Sequence, residues 1–582
     1  MTQIFRARTR FLFSGALALL LATPAASDGL SGPYLAARQA MIANDFQEAA
    51  EYYTRALARD RTNAYLIENM LIANVGLGRI KESVPIARVL IADEPASQIG
   101  QMVLVAHSLN SGADIGMLDE LQGAGRIAPL IDTLLAGWGW MNVGDAAEAM
   151  AAFDGLISNP EYAGFAIYHK ALANAYVGNF EETVRLLGGN GETQAIRTRR
   201  SVLALAISLG QLGRFDEATT LLEESFDLND AEIRFYHTPL SEGQAVPFDL
   251  IQSPQDGMGE AFYSIAQALR GQTSDEYTLV YARFAQYMSP RNDDATILSA
   301  RLLEELEQYE LATQVFDEVS RRSPAYLKAE IGRAEALNSA EKPDAAIEVL
   351  MQLAETHAEV PLVHTTLGDT HRRMNEFEKS ADAYDRAIAL YDAEENSQWF
   401  VYYTRGISHE RIGDWEAAEA DFRKALDLNP GQPNVLNYLG YSLVEKRSKL
   451  DEALNMIREA SAARPESGYI TDSLGWVLYR LGRFEEAVEP MERAASLMPV
   501  DPVINDHLGD VYWAVGRERE AEFQWRRALS FLTEDDEDHE ADPKRIRRKL
   551  ELGLDAVIED EGGPSLAEKA AQAALRQTQD DG

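Results

Sequence analysis

The sequence contains no cysteine among its 582 residues. That absence excludes disulfide bonds, thiolate metal sites, a cysteine nucleophile and a lipidated cysteine at the end of a secretion signal. Avoiding cysteine altogether suits a protein of an oxidising compartment, where a free thiol is a liability. The sequence therefore predicts a protein without disulfide cross-links or thiolate metal sites.

Basic residues are few, since 54 Lys and Arg stand against 93 Asp and Glu, for a formal net charge of −39. Nucleic acid and anionic membrane surfaces are poor partners for such a chain, because binding them requires Lys and Arg to neutralise phosphates. The acidity either keeps the protein soluble or speeds the approach of a basic partner. Both interpretations stay open at this point.

The motifs of the common catalytic classes are also missing: there is no Walker A loop, no G-x-S-x-G elbow and no H-E-x-x-H pair. His364 and His371 are seven residues apart and share a helical face. We expect both to pack in the interior and not to bind a metal. The sequence predicts a protein that is not an enzyme and needs no cofactor or metal.

Runs of β-branched residues long enough for strands are scarce, and a glycine recurs with a period of 34 or 35 residues. Each of these glycines is followed by a small residue after twelve or thirteen places, by a bulky residue four places later and by an alanine three places after that. The glycines and the bulky residues are Gly406, Gly440, Gly475, Gly509, Phe422, Ile457, Met491 and Trp525. This period predicts stacked pairs of antiparallel helices, with glycine at the points of closest approach.

The pattern resembles the tetratricopeptide repeat, a unit of 34 residues. The resemblance implies an all-α fold, a right-handed superhelical solenoid of helix-turn-helix repeats. The pattern is clear from 259 to 531, best in 399–531, and degenerate in 28–230. By the same resemblance, Trp415 and Trp525 occupy packing positions.

The first 27 residues predict a secretory signal peptide. Arg6, Arg8 and Arg10 precede an apolar run from Phe11 to Leu21, and small residues follow it. An uncleaved membrane anchor is the alternative. We expect cleavage near residues 25 to 27, a bacterial periplasmic location and no stable membrane insertion afterwards.

Several segments interrupt the repeats. Residues 231–258 contain three prolines and two glycines and are predicted to be an irregular insertion, with Phe248, Leu250 and Ile251 either covering the groove or packing on a neighbouring helix. Residues 532–542 read as an acidic linker and 559–582 as a disordered tail. Between them, 543–558 predicts a helix with one apolar side among basic residues. That helix either caps the last repeat or docks on another protein.

In a solenoid of this type the first helix of each pair lines the concave side, and places two, five, nine and twelve share one stripe. In the C-terminal repeats we expect these places to form a protein-binding groove: Tyr403, Asn437, Tyr441, Tyr469, Asp472, Trp476, Tyr479, Asp506, Asp510 and Trp513. Aromatic and acidic residues dominate, so basic or apolar peptides suit the groove. Trp476 and Trp513 could instead pack against the next helix.

Residues 430–530 further resemble a family of proteobacterial envelope proteins, through the segments that surround Gly440, Gly475 and Gly509. The resemblance implies an adaptor that binds a carboxy-terminal processing protease and brings substrates to it. The alternative is an assembly or export factor for envelope polysaccharide, pilus or cytochrome components. Family members are lipoproteins, whereas this chain has no cysteine, so outer-membrane anchoring does not carry over. The oligomeric state is open.

Overall fold

The computed structural model describes residues 30–112, 115–123, 126–189, 194–228, 230–391, 393–532 and 541–580. Within these ranges the chain forms 32 α-helices, one short 3-10 helix and no strand. The predicted all-α solenoid fold is confirmed, with 75% of the structure helical. None of the helices in the described ranges combines the length and the apolar character needed to cross a bilayer. The predicted signal peptide, residues 1–27, lies outside the described residues.

The chain divides into two compact units, with the boundary between Ala345 and Ala346. The first unit contains α1 to α18 and the start of α19. Their bounds are α1 Ser31–Ile42, α2 Phe46–Leu57, α3 Ala64–Gly76, α4 Ile80–Asp93, α5 Gln98–Asn110, α6 Ile115–Gly123, α7 Pro129–Asn142, α8 Ala146–Ile157, α9 Ala163–Tyr176, α10 Phe180–Leu187, α11 Arg199–Gln211, α12 Phe215–Ser225, α13 Ala231–Ser241, α14 Pro254–Leu269, α15 Asp275–Met288, α16 Asp293–Glu305, α17 Tyr309–Phe316, α18 Tyr326–Ser339 and α19 Pro343–Thr356.

The second unit contains the rest of α19 and the helices that follow it. Their bounds are α20 Pro361–Arg373, α21 Phe377–Ala389, α22 Trp399–Arg411, α23 Trp415–Leu428, α24 Pro433–Glu445, α25 Leu450–Ala463, α26 Gly468–Arg480, α27 Phe484–Leu497, α28 Pro502–Ala514, α29 Glu518–Ser530, α30 Pro543–Leu552, α31 Leu554–Asp560 and α32 Leu566–Asp580. From α20 to α29 successive helices pack in hairpins, and each hairpin packs on the next.

The repeat glycines lie where the two helices of a hairpin come closest. A methyl group added at Gly406 would lie 2.8 Å from the ring of Phe422, and one added at Gly440 would lie 2.7 Å from Ile457. The same addition at Gly509 would overlap the indole of Trp525. The bulky residues of the pattern fill the space that glycine leaves, so the predicted packing roles are confirmed, including that of the fully buried Trp525.

The turn inside each hairpin contains one residue in the left-handed region, seven places after the repeat glycine. Glycine occupies this place at Gly413, Gly482 and Gly516. Asn375 and Arg447 occupy it in two other repeats, with φ of 58° and 53°. The position therefore belongs to the backbone geometry of the repeat, and glycine is the residue that adopts it without strain.

The interval 231–258 is mostly helical, which corrects the prediction of an irregular insertion. Asp230 caps α13, Pro239 lies in the last turn of that helix, and Pro254 occupies the first turn of α14. Proline costs little at a helix start, where the missing N–H has no partner to lose. Only 242–253 is irregular, and it packs into the first unit, where Ile251 is 1% exposed.

Two predictions for the C-terminal region are also corrected. The predicted single helix 543–558 is broken at Gly553, whose φ of 83° separates α30 from α31. The predicted disordered tail from 559 contains α32, because Leu566 and Ala573 bury apolar side chains. Most of the predicted acidic linker, 533–540, lies outside the described residues.

Candidate protein-binding groove

The predicted groove residues lie on the first helices of four successive hairpins. Helices α22, α24, α26 and α28 carry them, and their shared spacing places them on one stripe of each helix. Helices α26 and α28 are capped at their starts by Ser467 and Asp501, whose side chains accept hydrogen bonds from backbone amides. The repeat thus holds the ten side chains on rigid elements.

One end of the stripe is aromatic and open. Tyr469 is 55% exposed, and Phe400, at the second place of its own repeat, is 41% exposed. The ring of Tyr403 lies 6.0 Å from that of Tyr438 and 6.5 Å from that of Phe400, and burial raises the pKa of the Tyr403 hydroxyl. Tyr441 is half-buried and packs on the same core. This end presents ring surface to solvent.

Asn437 lies on α24, between Tyr403 and Tyr469 in sequence, and it is only 5% exposed. Its side-chain oxygen is buried and accepts no hydrogen bond from any described residue. A buried amide oxygen without a donor is uncommon, because leaving it unpaired is unfavourable. Asn437 therefore retains an unused acceptor in the groove wall.

The centre of the stripe is a stack of rings that includes His507, whose imidazole contacts the carboxylate of Asp472. Trp476 stacks on His507 with ring centroids 3.8 Å apart, and on Tyr479 at 4.9 Å. The carboxylate of Asp472 lies 3.1 Å from Nδ1 of His507. Asp472 and Tyr479 are 7% and 3% exposed, so these two predicted groove residues are interior. Trp476 also donates from Nε1 to Glu445 at 3.3 Å.

The far end of the stripe is acidic and filled by the chain itself. Nζ of Lys549, from α30, donates to both carboxylate oxygens of Asp506 at 2.8 Å and to Asp510 at 2.6 Å. Asp510 also accepts from Nε1 of Trp525 at 2.9 Å. Asp506, Asp510 and Lys549 are 6%, 1% and 1% exposed. Burial raises the pKa of Asp506 while Lys549 opposes the shift.

The other C-terminal helices complete this cover. Trp513 donates from Nε1 to Asp555 of α31 at 2.8 Å, and its ring lies against Gly553. Nζ of Lys569, on α32, lies 5.1 Å above the ring of Tyr479. Aromatic faces attract cations at such distances. Three successive helices therefore contact the groove residues of α26 and α28.

The structure places the ten predicted residues together on one stripe but leaves only part of it open. Asn437, Asp472, Tyr479, Asp506 and Asp510 are buried, so the expectation of an open groove is wrong there. At the acidic end the cause is non-local, because Lys549 lies 43 positions from Asp506 and 39 from Asp510, outside the repeat register. Binding of a partner by these residues stays a prediction.

Sequence reasoning missed Phe400, His507, Lys549, Asp555 and Lys569. Phe400 was available from the pattern, because it occupies the second place of its repeat, as Tyr469 does. The basic side of α30 was visible as well, but nothing in its spacing indicated which surface it covers. His507 falls outside the groove places and enters the site only through its stack with the neighbouring repeat.

The first unit contains a second polar cluster, around Arg200. Its guanidinium donates to Glu260 at 2.8 Å, to Asp294 at 2.9 Å and to the carbonyl of Leu250 at 3.1 Å. A cavity of about 140 Å³ lies beside it, and burial raises the pKa of Asp293 in its wall. Because Arg200 binds one carboxylate from α14, one from α16 and the 242–253 segment, the cluster fastens these three elements together.

The candidate histidines and metal ligands have structural contacts. His364 is 2.9 Å from the carbonyl of Ala358, and His371 is 2.7 Å from Glu376, with both rings largely buried. Across the residues that the structure describes, no three His, Asp or Glu side chains are placed to hold a metal ion.

Comparisons with known proteins agree with the repeat. Residues 399–432 and 439–502 match tetratricopeptide-repeat models. The TPR repeat-containing protein PA4667 of Pseudomonas aeruginosa is 29% identical over 191 residues, which is 32% of this chain and 29% of that protein. The chain thus matches less than a third of that relative's length. These matches confirm that the chain carries tetratricopeptide repeats.

Solved structures of low similarity were also found. The Cut9-Hcn1 hetero-tetramer of the APC/C is 13% identical, with a TM-score of 0.38, and the alignment covers 90% of this chain and 96% of that one. YrrB, described as a TPR protein with an unusual peptide-binding site, is 16% identical with a TM-score of 0.27, over 32% of this chain and 94% of its own. MamA from Desulfovibrio magneticus RS-1 is 22% identical, with a TM-score of 0.26, over 30% and 96%.

Proposed function

We propose that this chain, which carries tetratricopeptide repeats, is a non-catalytic scaffold that holds a protein or peptide partner on the first helices of its C-terminal repeats. The observation that carries the proposal is the open aromatic end of the stripe, where Tyr469 and Phe400 are 55% and 41% exposed. Large exposed rings on rigid helices are typical interface anchors, because they bury much area at little cost in side-chain entropy.

The proposed compartment is the bacterial periplasm. The order of arginines, apolar run and small residues in 1–27 supports secretion, and the absence of cysteine suits an oxidising space. We expect the mature protein to begin near residues 26 to 28. Mass spectrometry of the protein from a periplasmic fraction checks this, and an intact N-terminus in the membrane fraction would contradict it.

The proposed partner is a carboxy-terminal processing protease, with the scaffold bringing cell-wall enzymes to it as substrates. Support comes from the resemblance of residues 430–530 to envelope adaptor proteins of that kind. The net negative charge of this chain further favours a partner whose contact patch is basic or apolar, because like charges repel across an interface.

The test is an affinity capture of the full mature chain with its native periplasmic extract, followed by mass spectrometry. Recovery of a carboxy-terminal processing protease supports the proposal. Recovery of an export or biogenesis complex for polysaccharide, pilus or cytochromes favours the assembly function instead. Recovery of no specific protein contradicts both.

The variants for this capture follow from the exposed fractions. Trp476 and Trp513 contact neighbouring helices, so replacing them disturbs the fold as well as the surface. The double variant Phe400→Ala and Tyr469→Ala removes two rings that are 41% and 55% exposed. It is expected to lower recovery at least tenfold, since anchor truncations cost about 2 kcal/mol. Phe523→Ala is the matched control, because Phe523 is 62% exposed on the second helix of its hairpin. Equal recovery by both variants would place the interface elsewhere.

A further inference from the structure

The acidic end of the groove requires a cation. Asp506 and Asp510 lie four residues apart on α28, and both are almost completely removed from solvent. Two buried carboxylates without a compensating charge are strongly unfavourable, because burial removes their hydration and their charges repel. Nζ of Lys549 meets this demand with three hydrogen bonds of 2.6 to 2.8 Å.

Helix α30 meets the groove in the way that a helical ligand would. Lys549 and Arg545 lie four residues apart and so share one face. Lys549 binds both carboxylates, and Nη1 of Arg545 lies 3.6 Å from Asp510. Ile546, on the same side, is fully buried. The recognised feature is a helix that presents an arginine, an apolar residue and a lysine to an acidic wall.

Helix α30 is held by polar contacts at the groove and also by apolar ones, since Ile546 is fully buried and Leu550 packs on the same core. Arg545 also pairs with Glu561, just after the end of α31, and Arg548 pairs with Asp560, the last residue of α31. Lys549 differs from the two arginines in that its Nζ donates hydrogen bonds to both buried carboxylates. Any helix that delivers a lysine to the same point, with an arginine four residues before it, satisfies the same demand.

We infer that α30–α32 act as a built-in ligand of the acidic end of the groove, and that a partner binds there through a basic helix of the same pattern after displacing them. This inference rests on the proposed scaffold function and adds the chemistry of the partner and its regulation. In the free protein only the aromatic end is open. A partner that engages both ends therefore competes with the chain's own C-terminus.

The test uses the full mature chain and a labelled peptide of residues 541–580 as the probe. In the variant Lys549→Ala, the docked state has lost the lysine that pairs with Asp506 and Asp510, so α30–α32 are expected to leave, which lets water hydrate both carboxylates. Hydrogen exchange in α30–α32 then rises, and the peptide binds at least tenfold more tightly than to the wild type. Arg547→Ala is the matched control, because Arg547 is exposed on the same helix.

The peptide supplies the decisive comparison. A peptide with K549A is expected not to bind the Lys549→Ala protein. Equal binding of both peptides would overturn the inference, as would unchanged exchange of α30–α32 in that protein. A dimer of Lys549→Ala chains would also overturn it, because a second copy would then be the occupant.

A measurement on the wild type covers the case in which Lys549→Ala does not fold. Excess peptide is expected to raise exchange in the protein's own α30–α32 by competition, and no rise at saturating peptide would overturn the inference. None of these measurements uses a cellular partner. An empty affinity capture would contradict the proposed function and leave this result standing.

Discussion

At the scale of single residues, the repeat glycines and their bulky neighbours set how closely the helices approach. Gly440 illustrates this best, because an added methyl group would lie 2.7 Å from Cγ1 of Ile457 and 3.0 Å from the backbone oxygen of Ala453. A side chain can turn away from such a contact, but a backbone oxygen inside a helix cannot. Glycine is therefore required here by space.

The corresponding prediction compares two helical glycines. Gly440→Ala is expected to destabilise the second unit by about 1–3 kcal/mol, as overpacking does. Gly155→Ala is expected to stabilise the first unit by ~0.5–1 kcal/mol, since nothing lies within 4 Å of a methyl group there. Urea unfolding with exchange readouts for each unit checks both signs. Equal effects of the two substitutions would contradict the packing argument.

A second prediction at this scale concerns His169, whose pKa burial lowers to about 3. Its Nδ1 accepts from the indole of Trp138 at 3.0 Å, so the ring is neutral in the fold. Between pH 6.5 and 3 the unfolded chain binds a proton at His169, whereas the folded chain does not. This contribution to stability is complete above pH 6.5 and falls by about 1.4 kcal/mol per pH unit below it.

The measurement is the pH dependence of the unfolding free energy of the first unit. His169→Gln keeps an acceptor for Trp138 but cannot titrate, so its curve is expected to be flatter than that of the wild type between pH 6.5 and 4. Carboxylates contribute equally to both curves and cancel in the difference. Parallel curves would show that His169 titrates normally in the fold.

At the scale of elements, the C-terminal helices pack onto the hairpin turns as well as onto the groove. Gly482, in the turn between α26 and α27, is so close to α32 that an added methyl group would overlap the carbonyl oxygen of Lys569. Gly516 occupies the same place in the next repeat with nearly the same φ, 75° against 77°, and has open space around it. The chain therefore offers a matched pair.

Gly482→Ala and Gly516→Ala introduce the same left-handed strain, of about 1–2 kcal/mol, but only the first displaces α32. We expect faster hydrogen exchange across 566–574 in Gly482→Ala and no change there in Gly516→Ala. Both variants are expected to lose similar stability in their own hairpins. Unchanged exchange in both would mean that α32 does not rest on this turn.

Periodic elements could be predicted from the sequence, and aperiodic ones could not. Gly406 and Phe422 repeat a local rule, so their helices, their contact and their spacing were all available. The partner of Asp506 obeys no such rule, since Lys549 is 43 residues away and reaches it after the repeat has ended. The prediction of a disordered tail was wrong for the same reason, because Leu566 is buried in the core of the repeats, far away in sequence.

At the scale of the whole molecule, the dominant property is the net charge of −39. Repulsion among like charges opposes compact states, and salt screens it with a Debye length of about 10 Å at 0.1 M. Added salt is therefore expected to stabilise the protein. A gain of about 1 kcal/mol in the unfolding free energy of the second unit raises its Tm by ~2–4 °C.

Thermal unfolding between 20 mM and 500 mM sodium chloride checks this expectation. Choline chloride is the control, because screening depends on ionic strength and not on the cation. A lower Tm in salt would show that the exposed ion pairs, such as Arg270–Glu305 and Arg526–Glu522, outweigh the repulsion. The pair formed by Lys549 is buried and is expected to respond little.

Lys549 also sets how the second unit gives way under mechanical load. If the chain is pulled from residue 580, α32 and then α31 bear the load before α30, where a lysine is held by three short hydrogen bonds. Short polar contacts of this kind are lost within a small extension. The hairpins behind it contact mainly their neighbours and yield one at a time. The second unit is therefore expected to resist extension until the Lys549 contact breaks and then to unfold hairpin by hairpin.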